Sequence, residues 1–101
     1  MTAPAVLITD DDTAFRETLG GVLEPLGLRT LFASDGREAI DIVEHEEVHL
    51  VLLDMHMPRL TGLETLRLVK QIKAGVPCIL LSARLDDSIV EQARRAHAIS
   101  I

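Results

Sequence analysis

Short aliphatic runs alternate with segments of helical periodicity along almost the whole chain, and this alternation limits the folds open to it. The runs cover residues 5–9 (AVLIT), 28–33 (LRTLFA), 48–53 (VHLVLL) and 76–81 (VPCILL). Strands that alternate with helices indicate βαβ units. Because these runs are mostly apolar, rather than apolar only at every second position, they indicate a parallel sheet covered by helices on both faces.

The segments between the runs carry helix signals. The first helix is predicted over residues 13–26, and the second from the capping-box-like pair Asp35 and Glu38 to about His45. Two further helices follow from apolar residues at helical spacing: Leu63, Leu66, Val69 and Ile72, then Ile89, Val90, Ala93 and Ala96 after a cap at Asp86 or Asp87. Residues 98–101 look like the beginning of a fifth strand.

Size and composition narrow the class of protein. A chain of 101 residues forms at most one domain, and 48% hydrophobic residues support a packed core. Two Phe and no Trp or Tyr leave little for stacking on bases, and a net charge of −6 disfavours nucleic-acid binding. No run reaches the length of a membrane span. The single Cys78 cannot form an internal disulfide, which fits the cytoplasm.

Acidic residues follow two of the predicted strands directly. The first strand ends at Thr9 and leads into Asp10–Asp12, while the third ends at Leu53 and leads into Asp54. Ser82 follows the fourth strand. In an open parallel sheet the working site lies beyond the carboxyl ends of the strands, so these side chains are expected to meet there.

Carboxylates gathered in this way suit a hard divalent cation such as Mg²⁺. Without a cation the acids raise one another's pKa; with one, all can stay ionised and one can attack a phosphoryl group. Each residue also has a plainer interpretation. Asp10–Asp12 would serve as a helix-capping cluster, Asp54 as a loop cap and Ser82 as a turn residue.

Three stretches together resemble a known family: VLITDDDTAFRETL, HLVLLDMHMPRLTGLETL and PCILLSARLDD. They are similar to the receiver domain of bacterial two-component response regulators, of the chemotaxis response-regulator kind. An acidic pair, then D-x-x-M-P-x-x-x-G, then Ser-Ala, is a specific combination, although each part alone is weak. The resemblance covers nearly the whole chain, and residues 1–101 are expected to form one receiver domain that is truncated at its carboxyl end relative to the family. It implies a flavodoxin-like α/β fold, a doubly wound parallel sheet of strand order 2-1-3-4-5.

The resemblance also implies a role for each acid. Asp54 would be the phosphoacceptor and form an acyl phosphate. Asp11 and Asp54 would give carboxylate oxygens to Mg²⁺, His56 its backbone carbonyl, and Asp10 would bind through water. Asp12 would be a polar lead-in to the first helix.

Residues after the fourth strand would handle the phosphate. By the resemblance, Ser82 would donate its hydroxyl to the phosphoryl group and swing inward on activation, and Ala83 would leave the phosphate room. Arg84 and His56 would flank the phosphate and tune its hydrolysis. The imidazole of His56 is expected to face solvent, and Pro58 and Gly62 would shape the loop.

The function implied is a switch. A histidine kinase or phosphotransfer protein would pass a phosphoryl group to Asp54, and the chain would promote only its own phosphorylation and dephosphorylation. One alternative is a Mg²⁺ phosphohydrolase of the aspartyl-phosphate kind. Such enzymes have D-x-D at the nucleophile, whereas this chain has Asp54-Met55-His56. The other is a receiver-like interaction module that no longer signals by phosphorylation.

The sequence departs from the family at its carboxyl end. The family continues through a complete fifth strand ending in Lys-Pro and then a fifth helix, whereas this sequence stops at Ile101. The fifth strand is therefore expected to be incomplete, and the fifth helix and the phosphate-binding Lys to be absent. Two hypotheses follow: the chain is a piece of a longer regulator, or it pairs with a second copy through the open sheet edge.

Overall fold

The computed structural model describes residues 3–57 and 59–81, together with residues 99–100 as a strand. Five strands form one parallel sheet in the order β2-β1-β3-β4-β5. The strands are β1 (Ala5–Thr9), β2 (Arg29–Ala33), β3 (Leu50–Asp54), β4 (Cys78–Leu81) and β5 (Ile99–Ser100). The helices in the described residues are α1 (Thr13–Leu23), α2 (Gly36–His45) and α3 (Gly62–Ile72). The doubly wound α/β fold and its strand order are confirmed.

The first helix is shorter than the periodicity predicted. It ends at Leu23, and Glu24–Leu26 continue as a 3₁₀ turn. Pro25 explains the change, because it has no N–H to donate to the carbonyl four residues earlier. Gly27 then turns the chain into β2 with a left-handed φ of 87°. The predicted fourth helix and its cap lie outside the described residues.

Side-chain caps fix the starts of all three helices. Asp12, Asp35 and Thr61 each accept a hydrogen bond from the backbone N–H three residues further on. The expected box at Asp35 is only half formed, because Ser34 Oγ donates to the Glu38 carboxylate at 3.2 Å. A complete capping box joins Thr61 and Glu64 instead, and it places the start of α3 next to the end of β3.

The sheet has an apolar core on each face. On one face, Leu7 and Leu53 pack with residues of α2 and α3 such as Val43, Leu66 and Val69. On the other, Val6, Ile8 and Leu52 pack under half-buried residues of α1. Every residue of β1 is buried, as its apolar sequence predicted. Met55, Met57 and Cys78 are buried too.

The outer side of α1 and its 3₁₀ extension exposes some apolar side chains among polar ones. Val22 is 58% and Leu26 is 71% exposed, and Gly20 is the one buried residue of α1. Within the described residues, no helix combines the length and the apolar character that crossing a membrane requires.

Candidate functional site

The site lies where β1 and β3 end side by side. Thr9, the last residue of β1, is paired with Leu53 of β3, so Asp10 and Asp54 leave the sheet as neighbours. The N–H of Asp10 still donates to the Ala33 carbonyl of β2 at 3.1 Å, which fixes the point at which the chain turns away. Parallel pairing thus brings together acids that stand 44 positions apart in the sequence.

The chain after β1 is held by a short network. One oxygen of the Asp10 carboxylate accepts the backbone N–H of Asp12 at 2.8 Å. The Asp12 carboxylate in turn accepts the N–H of Phe15 at 3.2 Å and caps α1. The Asp12 carboxylate therefore stabilises the start of α1, which agrees with its expected role as a polar lead-in.

Asp54 is half-buried at the end of β3, and hydrogen bonds hold the backbone next to it. Its carboxylate accepts the backbone N–H of His56 at 3.2 Å. The next residue, Met55, donates its N–H to the Leu81 carbonyl of β4 at 3.0 Å, so β4 ends beside the acid. The side chain of His56 is exposed, as predicted.

Gly62 lets α3 begin in contact with this loop. Its N–H donates to the Met55 carbonyl at 3.2 Å. A Cβ at this position would overlap the Asp54 carbonyl oxygen and lie 2.8 Å from Met55 Cα. The loop itself contains Arg59, which has a left-handed φ of 68° that residues other than glycine rarely adopt. The Gly at the end of the D-x-x-M-P-x-x-x-G pattern is thus a steric requirement of the site.

Three carboxylates converge at this point. Oxygens of Asp10, Asp11 and Asp54 all lie within 4.8 Å of one another. Partial burial raises the pKa of the Asp10 carboxyl, and the charges of Asp54 and Asp11 raise it further, against the N–H of Asp12, which lowers it. The cluster therefore favours either a proton or a cation between its oxygens.

These residues fit a hard divalent cation. All three offer oxygen, the ligand type that Mg²⁺ prefers, and partial burial together with the charges of Asp54 and Asp11 raises the pKa of Asp10. The sequence placed these three acids at one site, and the structure brings them together. Ser82, Ala83 and Arg84, as well as Pro58, lie outside the described residues.

Arg16 contacts this site, although the sequence assigned it no role there. Its guanidinium Nη1 donates to the backbone carbonyl of Asp10 at 2.6 Å, and Nη2 donates to Thr13 Oγ1 at 3.1 Å. The contact is to a backbone carbonyl, so no pattern of side chains in the sequence could indicate it.

Comparison with known proteins agrees with the geometry. A family model described as "Response regulator receiver domain" matches residues 6–101. The response regulator MprA of Mycolicibacterium vanbaalenii is 40% identical over 87 residues, which is 86% of this chain and 37% of that protein. The chain therefore spans little more than a third of the length of the first curated relatives it matches.

A shorter relative and a solved structure extend the match. The sporulation initiation phosphotransferase F of Bacillus subtilis is 33% identical over 95 residues, 94% of this chain and 77% of that protein. A Burkholderia pseudomallei response regulator, solved with a phosphorylated aspartic acid, a calcium ion and citrate, shares the fold with a TM-score of 0.88. It is 20% identical, and the match covers 96% of this chain and 59% of that one.

Proposed function

The chain belongs to the response regulator receiver family, and on that premise we propose that Asp54 takes a phosphoryl group from a histidine kinase or phosphotransfer protein. The observation that carries this proposal is the convergence of the Asp10, Asp11 and Asp54 carboxylates within 4.8 Å. Receiver domains of two-component systems are regulatory, and in this proposal the chain acts as a switch that promotes only its own phosphorylation and dephosphorylation. The proposed compartment is the cytoplasm, where the partner kinase domain would act.

The chemistry assigned to Asp54 is a single displacement. One carboxylate oxygen bonds to phosphorus as the bond from phosphorus to the donor's histidine nitrogen breaks, and that nitrogen takes up a proton. The hydrogen bond from the N–H of His56 to Oδ1 holds the carboxylate in one rotamer, leaving its other oxygen to attack.

The acids would share one cation. Asp11 and Asp54 would bind Mg²⁺ directly, His56 through its carbonyl and Asp10 through water. When bound, Mg²⁺ supplies the positive charge that keeps the carboxylates ionised and offsets the charge of the phosphoryl group. The B. pseudomallei structure, with its phosphorylated aspartic acid and calcium ion, supports this combination of groups.

The residues after β4 complete the proposal. Leu81 pairs with Asp54, so the chain leaves β4 beside the acid. Ser82 would donate its hydroxyl to the bound phosphoryl group and move inward on activation, and Ala83 would leave it room. Arg84 and His56 would tune its hydrolysis; if the phosphorylated forms of Arg84→Ala and His56→Asn decay at the wild-type rate, this part is wrong.

Incubation of the purified chain with acetyl phosphate and Mg²⁺ tests the assignment. We expect intact mass spectrometry to show one added phosphoryl group, which disappears in the presence of EDTA and in Asp54→Asn. A matched control is Asp35→Asn, because Asn retains the helix cap of α2 and lies outside the acid cluster.

Two results would contradict this function. Labelling that persists in Asp54→Asn would move the phosphoacceptor elsewhere. A folded wild-type chain that neither labels nor changes its NMR spectrum with beryllofluoride and Mg²⁺ would favour the alternative, an interaction module with no phosphate signal.

A further inference from the structure

Hydrogen bonds hold both the side-chain carboxylate and the backbone carbonyl of Asp10. The backbone N–H of Asp12 holds its carboxylate at 2.8 Å, and Arg16 Nη1 holds its carbonyl at 2.6 Å. The carbonyl of Asp10 belongs to the peptide plane that leads into Asp11. Fixing that plane restricts ψ of Asp10 and φ of Asp11, and so limits the directions in which their side chains leave the backbone.

The guanidinium of Arg16 ties this peptide to the start of α1. While Nη1 binds the Asp10 carbonyl, Nη2 binds Thr13 Oγ1 at 3.1 Å, and the backbone N–H of Arg16 donates to the Asp12 carbonyl at 3.1 Å. Arg16 is half-buried. Two nitrogens of one rigid planar group on two acceptors make a fork that a lysine ammonium cannot reproduce.

From these contacts we propose that Arg16 is a positioning residue for divalent-cation binding at the acid cluster, acting through the Asp10 carbonyl. The inference rests on the proposed function, since it assumes that the cluster binds Mg²⁺. A site formed by loop carboxylates loses affinity when its ligands can turn away, and groups that orient the ligands limit that loss.

The charge of Arg16 acts in the opposite direction to its geometry. A guanidinium beside the Asp10 carbonyl repels an incoming cation, so removing the charge alone would tighten Mg²⁺ binding. Losing the fork while keeping the charge would weaken it. Arg16→Lys separates the two effects, because lysine keeps the positive charge and loses the planar pair of donors.

Calorimetric titration of the purified chain with Mg²⁺ measures the effect. We expect Arg16→Lys to bind Mg²⁺ about tenfold more weakly than wild type, the lower end of the range for groups that orient metal ligands. Arg37→Lys is the matched control, since Arg37 is an exposed arginine in the first turn of α2, and its affinity should stay unchanged. Thr13→Val, which removes the second acceptor of the fork, should weaken binding in the same direction by a smaller factor.

A second readout distinguishes positioning from a general loss of structure. The urea midpoint of Arg16→Lys in EDTA should stay close to that of wild type, and its labelling rate by acetyl phosphate should recover at saturating Mg²⁺. Wild-type affinity in both Arg16→Lys and Thr13→Val, or a labelling defect that saturating Mg²⁺ does not repair, would overturn the role of Arg16. If the wild-type chain itself binds no Mg²⁺, the proposed function fails first. Should Arg16→Lys not fold, Thr13→Val decides alone.

Discussion

At the scale of single residues, the aspartates of the site differ in what they bind. Asp12 caps α1, whereas Asp10 and Asp54 each accept one backbone N–H and contribute oxygens to the cluster. Asp11 is exposed and joins them in the cluster. Three like charges in one place cost free energy, and the cluster retains that cost until a cation binds.

The pKa of Asp10, which partial burial and then the charges of Asp54 and Asp11 raise, gives a pH-dependent prediction for Asp10→Asn. The pKa of Asp10 is raised in the folded chain, so between the ordinary carboxyl pKa and the raised one the folded state binds more protons than the unfolded state. Stability from this group is therefore fully present below the ordinary pKa and is lost as pH rises through the raised value. Asparagine at position 10 does not ionise, so it avoids this loss of stability at higher pH, and its amide oxygen can still accept the Asp12 N–H.

We expect Asp10→Asn in EDTA at pH 7 to be more stable than wild type by about 0.5 kcal/mol, a small value because exposed charges are screened. The gain should shrink as pH falls towards about 4, the ordinary carboxyl pKa, and reverse in millimolar Mg²⁺, which stabilises only the intact site. Urea unfolding measures each case. Asp12→Asn, which keeps its cap, is the control, and an equal gain there would contradict the assignment to Asp10.

At the scale of elements, the join between β3 and α3 depends on Gly62. A side chain there would overlap the Asp54 carbonyl, so Gly62→Ala should lower the free energy of unfolding by about 1–3 kcal/mol, as overpacking does. Because the same backbone carries Asp54, labelling by acetyl phosphate should fall as well.

Gly21→Ala provides the matched control for Gly62→Ala. Gly21 lies within α1 with open space around its Cα, so alanine should raise stability by about 0.5–1 kcal/mol through helix propensity. Urea unfolding of both variants checks the pair. A loss of stability in Gly62→Ala together with a gain in Gly21→Ala supports the steric account. An unchanged free energy of unfolding in Gly62→Ala would refute it.

The elements also show what the sequence could predict. The parallel sheet and the meeting of Asp10, Asp11 and Asp54 followed from apolar runs that end in acids, because parallel strands share one carboxyl edge. The strand order came only from the resemblance to the receiver family. The predicted end of α1 at Leu26 was wrong, because the helical spacing of apolar residues continues past Pro25 and gives no sign of the 3₁₀ turn. Arg16 was missed because its contact is to a backbone carbonyl, which no side-chain pattern reveals.

At the scale of the whole molecule, the part of the sheet that the structure describes ends in β2 on one side and β5 on the other. Unpaired strand edges and apolar faces invite association. The pairing of two copies through the β5 edge stays a prediction, together with the hypothesis that the chain is a piece of a longer regulator.

Light scattering on the purified chain at increasing concentration tests the pairing. A paired edge predicts a molar mass that approaches twice 11.1 kDa as concentration rises. A well-folded monomer over the whole range would argue against the pairing, because an unsatisfied edge would then be tolerated.

The buried thiol of Cys78 has one further consequence. It is the single cysteine of the chain, it lies 1% exposed at the start of β4, and burial raises its pKa. An alkylating reagent therefore reacts only when β4 parts from β3 and α3. The opposite end of β4 lies beside Asp54. The rate of Cys78 alkylation therefore measures how often β4 opens, and any ligand that stabilises the closed sheet will lower that rate.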